Sequence, residues 1–581
     1  IAVVGMGCRF PGGSGPDEFW RRLRDGNDSI TEVPVDRWDG ASLYDPNAGV
    51  QGTMNTRWGG FLTDIAGFDP AFFGISPRGA AAMDPQHRLL LEVAWETFED
   101  AYIPPNKVAG ERGGVFVGIS HHDYAHRVFG DIAAITAYAL PGNALSMAAN
   151  RLSHFFDLRG PSMSVDTGCS SSLEAVHLAC SSLREGECDI ALAGGVQILV
   201  TPHTGIASSQ LWMLASGPHH RSFDCNGDGS VRGEGCGLVL LKRLADADRD
   251  RDHIAAVIRG SAVSHSGRSS GMLAPSAPLQ ADAIARALRS AGVERGDISY
   301  VEAHGSGSAG TDDIEMQGLQ MAYGGRMDPC LVGSVKSNIG TLEAAAGVAG
   351  LLKCILALEH GYIPPTLHVQ HPLQRIAQDS EFELVTHLVP FPRATGHRLS
   401  GVNSYGLGGT SVHLILGETP STQSGLEHIA GSYLLCLSAR NRRALSDQVT
   451  AYQENVHRID DTDLAVLCDA ANAGRTHFPH RLAIAVDSAS LMRAALDGAH
   501  HGKDTAGLYW TNPGDAQHTN ALPLVSVYHD EGSSDTLKRS ARSFVQGAGF
   551  IDSHVRQQLK RPRRRLPVYP FQRTRCWMDG G

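Results

Sequence analysis

Eleven cysteines are scattered singly through 581 residues, and no Cys-x-x-Cys pair occurs among them. The odd count and irregular spacing argue against a disulfide framework or a zinc site and for reduced thiols, as in the cytoplasm. Positive charge is also short. Fifty Lys and Arg face 61 Asp and Glu, a net charge of −11, so the chain as a whole lacks the footprint of a nucleic-acid binder. No apolar run approaches the ~18 residues of a membrane span, and no signal-peptide pattern opens the chain. Two ligand motifs begin and then fail. Asp224-Cys225-Asn226-Gly227-Asp228-Gly229 opens like an EF-hand loop, but its twelfth position is Gly235, with the glutamate one residue early at Glu234. Gly5-Met6-Gly7 follows a strand-like run, but Phe10 stands where a dinucleotide fingerprint needs its third glycine. No metal and no tightly bound organic cofactor is expected.

What is present is a large α/β pattern. Apolar runs such as Gly114–Gly118 and Cys236–Leu241 read as buried strands. They alternate with helical patterns such as His87–Phe98, which argues for covered sheets over residues 1–416. The chain starts at Ile1, already inside a strand-like run (Ile1–Val4) and without an initiator Met, so a piece of a longer polypeptide is expected. Gly417 to Gly425 is polar, contains Pro and Gly, and reads as a boundary. A smaller α/β segment follows over 417–535. It has strands at Tyr433–Ser438 and Arg481–Val486, helices at Arg443–His457 and Asp463–Ala473, and a poorly patterned stretch at 503–535. A basic tail, 536–581, carries Lys560, Arg561, Arg563, Arg564, Arg565, Arg573 and Arg575. Such a run is usually a solvated or packing face.

Pro161–Thr167 leads into Gly168-Cys169-Ser170-Ser171-Ser172, and a helical pattern with Leu173, Val176 and Cys180 on one face follows. Cys169 is therefore expected where a strand turns into a helix. Free main-chain N–H groups there favour a thiolate and can hold an oxyanion. Asp166-Thr-Gly-Cys-Ser-Ser-Ser172 resembles the Asp-Thr-Ala-Cys-Ser-Ser-Ser active site of polyketide ketosynthases, with Gly168 in place of Ala. The resemblance covers nearly all of 1–416. It includes Gly5–Gly13, Phe72–Arg78, Met83–Arg88, Ala148–Arg151 and Val231–Gly235. It implies a thiolase-like, five-layered αβαβα fold and a homodimer.

By the same resemblance, Val301-Glu302-Ala303-His304-Gly305 carries the first catalytic histidine, His304. Gly310-Thr311-Asp312-Asp313-Ile314-Glu315 departs from the family's Leu-Gly-Asp-Pro-Ile-Glu, so a reshaped loop is expected there. The segment Lys336-Ser-Asn338-Ile-Gly-Thr341-Leu-Glu343 keeps every family feature except one: Thr341 stands where the second catalytic histidine belongs. In the family two histidines bond the extender thioester as it decarboxylates. Threonine offers one hydroxyl and no positive charge, and losing one such donor costs ~2.7–4 kcal/mol, or ~10²–10³ in rate. Lys336, Asn338 and Glu343 would support the site's polar network. The backbone N–H of Leu407, in the Gly-rich loop Asn403–Thr410, would pair with that of Cys169 as the oxyanion hole.

Leu566-Pro-Val-Tyr-Pro-Phe-Gln-Arg-Thr-Arg-Cys-Trp577 resembles the linker that follows the acyltransferase in modular polyketide synthases and wraps back on the ketosynthase. Only about 150 residues separate it from the ketosynthase end, and an acyltransferase needs ~300. That resembles a trans-acyltransferase assembly line. The resulting expectation is a cytoplasmic, non-elongating ketosynthase that moves an acyl chain from the phosphopantetheine of an upstream carrier protein, through Cys169, to a downstream carrier protein. Neighbouring synthase domains would be its other partners, with no nucleic acid and no membrane. Two alternatives stand beside it: an elongating β-ketoacyl synthase that tolerates Thr341, and a non-catalytic scaffold that binds carrier proteins.

Overall fold

The computed structural model describes residues 1–394, 396–419, 432–456, 460–461, 463–501, 503, 507–511, 528–529, 534–548 and 565–578. Most of the expected Gly417–Gly425 boundary, the end of the Arg443–His457 helix, most of 503–535, and Lys560, Arg561, Arg563 and Arg564 lie outside them.

Eleven strands form one hydrogen-bonded path. In spatial order they are Phe382–Leu384, Cys330–Gly333, Tyr300–Glu302, Leu399–Tyr405, Thr410–Gly417, Ala256–His265, Ala2–Phe10, Gly235–Lys242, Ile190–Gln197, Gly113–Gly118 and Ser162–Val165. The two halves of this path meet through only two residue pairs, Ala2 with Val257 and Val3 with Ala256. Across that thin joint they stack as two sheets with helices between. Period-two alternation decides which side chain goes where. From the Gly113–Gly118 strand, Phe116 points inward, while Val115 and Val117 join the outer core. Helices Ser171–Glu185 and Ala346–His360 fill the central layer, their Leu173, Val176, Leu351 and Ile355 sharing one core with strand residues of both halves, among them Ala193, Val239, Val402 and Leu414. Every residue from Ala346 to Leu358 is buried, as expected of a helix covered on all sides. Helices Pro85–Asp100 and Ser146–Phe156 cover one outer face, and Ala277–Ala291 with Ala309–Tyr323 cover the other. This is the thiolase-like, five-layered arrangement that the resemblance implies.

Local signals set these helices. Asp84 caps Pro85–Asp100 by accepting the Gln86 N–H at 2.8 Å, with Pro85 in the first turn. Gly186 ends Ser171–Glu185 in a left-handed conformation at φ +75°.

The C-terminal part is an antiparallel sheet in the order Leu508–Trp510, His480–Val486, Ser432–Ala439, Tyr528–His529. Helices Arg442–Val456, Leu464–Ala473, Ala489–His500 and Ser534–Val545 accompany it. It rests on the ketosynthase-like core through an aromatic cluster in which Phe72 meets Trp95, Phe478, Tyr569 and Phe571. The tail then runs back over helix Pro85–Asp100. Arg565 pairs with Asp17, Asp100 and Glu359 at 3.1, 2.9 and 2.9 Å. The Tyr569 N–H donates to Glu99, and Arg573 pairs with Glu92 at 2.7 Å. Among the described residues no helix is long and apolar enough to cross a membrane.

Candidate active site

Strand Ser162–Val165 ends one residue before the nucleophile turn, and helix Ser171–Glu185 begins two residues after Cys169. Gly168 sits at φ +65°. A glycine takes that left-handed conformation without strain, which suits the residue this chain has in place of Ala. The turn is cross-braced: Ser171 Oγ accepts the Thr167 N–H at 2.9 Å and donates to the Gly168 carbonyl at 2.6 Å. The 403–410 loop lies directly against it. Ser404 Oγ donates to the Cys169 carbonyl at 2.9 Å, and a Cβ built on Gly168 would lie 3.5 Å from the Leu407 nitrogen. The Leu407 amide is thus beside the nucleophile turn, while its side chain is exposed.

The balance of burial and charge around Cys169 runs against the expected thiolate. Burial pushes the Cys169 thiol up to about 12, Glu343 adds to the rise, and Lys336 and Arg232 only partly oppose it. Desolvation of a thiolate outweighs the helix N-terminus here.

His304 follows strand Tyr300–Glu302 and is held by its backbone. Glu315 accepts the N–H groups of His304 and Gly305 at 2.8 and 2.7 Å, and Asn403 donates to the same carboxylate at 3.0 Å. Lys336 Nζ donates to the His304 carbonyl. His304 Nδ1 accepts the Tyr405 N–H at 3.3 Å, so the ring hydrogen sits on Nε2. Burial, with Lys336 and His220 nearby, holds His304 well below the usual histidine range. It is a neutral hydrogen-bond donor. The expected reshaped loop at 310–313 is instead the first turn of helix Ala309–Tyr323. Asp312 anchors it by accepting the N–H groups of Phe223 and Ser306 at 2.9 and 2.6 Å.

Thr341 is buried at 7% exposure, and its Oγ1 has no hydrogen-bond partner. Its backbone is pinned: its N–H donates to the Val231 carbonyl at 2.7 Å, and its carbonyl accepts the Gly233 N–H at 2.8 Å. Two residues on, Glu343 pairs with Arg232 at 2.5 Å and with His121 at 2.7 Å. Burial alone would raise the Glu343 carboxyl; Arg232 and the His121 ring beside it hold it down at about 2. Asn338 is spent on structure, donating to the Asn27 carbonyl at 3.1 Å and accepting the Ser29 N–H through its own carbonyl. His121 was missed at the level of sequence. Its one signal is an imidazole three residues past a strand that ends beside the nucleophile.

Asp224, from the EF-hand-like stretch, accepts the backbone N–H groups of Asn226, Gln370 and His371 at 2.8, 2.6 and 2.6 Å. It is a loop anchor. Among the described residues one trio of metal-ligating type converges, Asp28, His219 and His368. Asp28 already accepts from His368 at 2.9 Å and from the Ile30 N–H, also at 2.9 Å.

Five layers, a cysteine on a strand-to-helix turn and a backbone-held histidine define a thiolase-fold condensing-enzyme type. Comparison with known proteins agrees. Residues 1–247 match the β-ketoacyl synthase N-terminal domain, 255–370 its C-terminal domain, and 433–496 the CurL-like polyketide synthase C-terminal segment. A solved ketosynthase domain of oxazolomycin biosynthesis from Streptomyces albus JA3453 (OzmH KS7) is 34% identical, with a TM-score of 0.89 over 99% of this chain and 98% of that one. The ketosynthase from module 6 of the bacillaene synthase of Bacillus subtilis 168 is 32% identical, with a TM-score of 0.89 over all of both chains. Polyketide synthase ThaG of Burkholderia thailandensis is 40% identical over 99% of this chain and 11% of its own length. A phenolphthiocerol/phthiocerol polyketide synthase subunit of Mycobacterium tuberculosis is 50% identical over 73% of this chain and 23% of its own length. The chain thus spans between about a tenth and a quarter of these two multidomain relatives. It belongs to the β-ketoacyl synthase family, as a ketosynthase domain of a modular polyketide synthase.

Proposed function

We propose that this domain relays acyl chains without lengthening them. One observation carries the reading. The parts that load an acyl group are in place (Cys169, the Leu407 N–H beside its turn, and His304 as an Nε2–H donor), while buried position 341 offers only an unpartnered hydroxyl. Loading needs a nucleophile and an oxyanion hole. Decarboxylative condensation also needs the second donor. In the relay, an upstream carrier protein delivers its phosphopantetheine thioester to Cys169, and a downstream carrier thiol takes the chain away.

The same reading assigns residues 417–535 and 536–581 to a flanking domain and a returning linker, with acyltransferase activity supplied in trans, in the cytoplasm. It takes the domain as a homodimer. Among the described residues strand Ser162–Val165 ends the sheet with a free edge, and Met163, Ile132, Ile135, Tyr138 and Leu140 are large, exposed apolar side chains. A free edge beside apolar surface is what a second copy covers.

The test is acyl loading. Wild-type protein offered a panel of acyl thioesters is expected to gain one acyl mass, and Cys169→Ala none, read by intact-protein mass spectrometry. A scaffold would show no adduct in either protein. An adduct persisting in Cys169→Ala would place the nucleophile elsewhere.

A further inference from the structure

The relay leaves one chemical need unmet. Burial pushes the Cys169 thiol up, and a thiol must give up its proton as the sulfur attacks. His304 cannot take it, because its Nδ1 lone pair accepts the Tyr405 N–H and its Nε2 bears the hydrogen. Lys336 is bonded to the His304 carbonyl. Thr341 has no basic atom.

A group suited to the task stands on the far side of the turn. Strand Gly113–Gly118 runs out beside the nucleophile: the Ile119 N–H donates to the Val165 carbonyl at 3.0 Å. Ser120 Oγ donates to Asp166 at 2.7 Å and lies 3.3 Å from Ser171 Oγ. The next residue is His121. Its Nε2 is 2.7 Å from Glu343, whose charge, with that of Arg232, acts directly on Cys169. The ring is 29% exposed, so it stands at an accessible surface of the site. A carboxylate on one ring nitrogen leaves the other to exchange a proton, the arrangement of an Asp–His dyad.

We infer that His121, oriented by Glu343, is the acid–base residue of acyl transfer at Cys169. The inference rests on the relay reading for its second step but not for its first. In loading, Cys169 Sγ attacks the thioester carbon and its proton passes to His121 Nδ1. The bond from carbon to the pantetheine sulfur breaks, and that sulfur takes the proton back. Release runs the same steps in reverse with the downstream thiol. No proton is gained or lost overall, and no co-reactant is required. Glu343 is the positioning residue.

Burial tends to lower the His121 pKa, but the bonded Glu343 outweighs it, with Asp123 adding and Arg232 opposing, and the net shift is upward. The base form therefore accumulates only as pH rises through a value above that of an ordinary histidine. Single-turnover loading of the wild type with an acyl N-acetylcysteamine thioester should rise along one limb across about pH 5–9. His121→Gln keeps an N–H for Glu343 but cannot exchange a proton. It should lose the limb and load ~10²-fold more slowly or worse. Glu343→Gln should shift the limb to lower pH. His121→Gln with wild-type rate and limb would overturn the inference and point to Glu315, whose carboxyl burial raises to about 7. Loading is read without any malonyl donor, so a wild type that elongates would sink the relay reading and leave this test intact.

Discussion

Thr341→His is expected to raise malonyl decarboxylation by ~10²–10³, because it restores one hydrogen-bond donor to the forming enolate, worth ~2.7–4 kcal/mol. The pinned backbone at Val231 and Gly233 stays as it is, so the new ring starts from the same Cα position. Carbon dioxide release from malonyl-carrier protein is the readout. Retained acyl loading on Cys169 shows that the variant folds. Thr341→Ala supplies the control. The threonine hydroxyl bonds nothing, so its removal takes no donor from the site and should leave decarboxylation within about twofold of wild type. No gain from histidine, or a large loss from alanine, would mean that threonine does the donor's work.

Lys353→Met is expected to lower the unfolding free energy by ~3–5 kcal/mol, the cost of leaving one partner of a buried ion pair alone. Lys353 is fully buried and lies 2.8 Å from Glu302, which is 2% exposed. That carboxylate also accepts the Tyr300 hydroxyl at 2.5 Å and the Val335 N–H at 2.6 Å. The pair thus fixes the start of the segment that carries Lys336 and Thr341. The loss should appear as a lower urea midpoint. Lys353→Met combined with Glu302→Gln should recover part of it, since the amide keeps an acceptor for Val335 and no charge is stranded. A single variant as stable as wild type would remove Lys353 from the account.

Much of the fold was legible because its signals are local. The apolar runs at Gly114–Gly118 and Cys236–Leu241 are central strands that extend one residue further at one or both ends. The helix read at His87–Phe98 spans Pro85–Asp100, its start marked by an Asp-Pro cap. Tyr433–Ser438 and Arg481–Val486 pair as adjacent strands. Strand Leu508–Trp510 and helix Ser534–Val545 were not legible. The first is three residues long and takes its place from its neighbour, and the second lies in a polar stretch. In the site, residues inside long motifs were readable, and Cys169, His304, Lys336 and Leu407 do converge. Two things were not. The thiol's protonation depends on burial, which no motif records. His121 is joined to Glu343 across a sequence separation of 222 (343 − 121), a pairing that only the stacking of the layers creates.

Intact-protein mass spectrometry tests the central claim most directly. Wild-type protein is loaded with an acyl thioester, then given malonyl-carrier protein and a carrier protein with a free pantetheine thiol together. The relay account predicts that the Cys169 adduct disappears and the same acyl mass appears on the free carrier thiol. A carrier-bound product two carbons longer would contradict it.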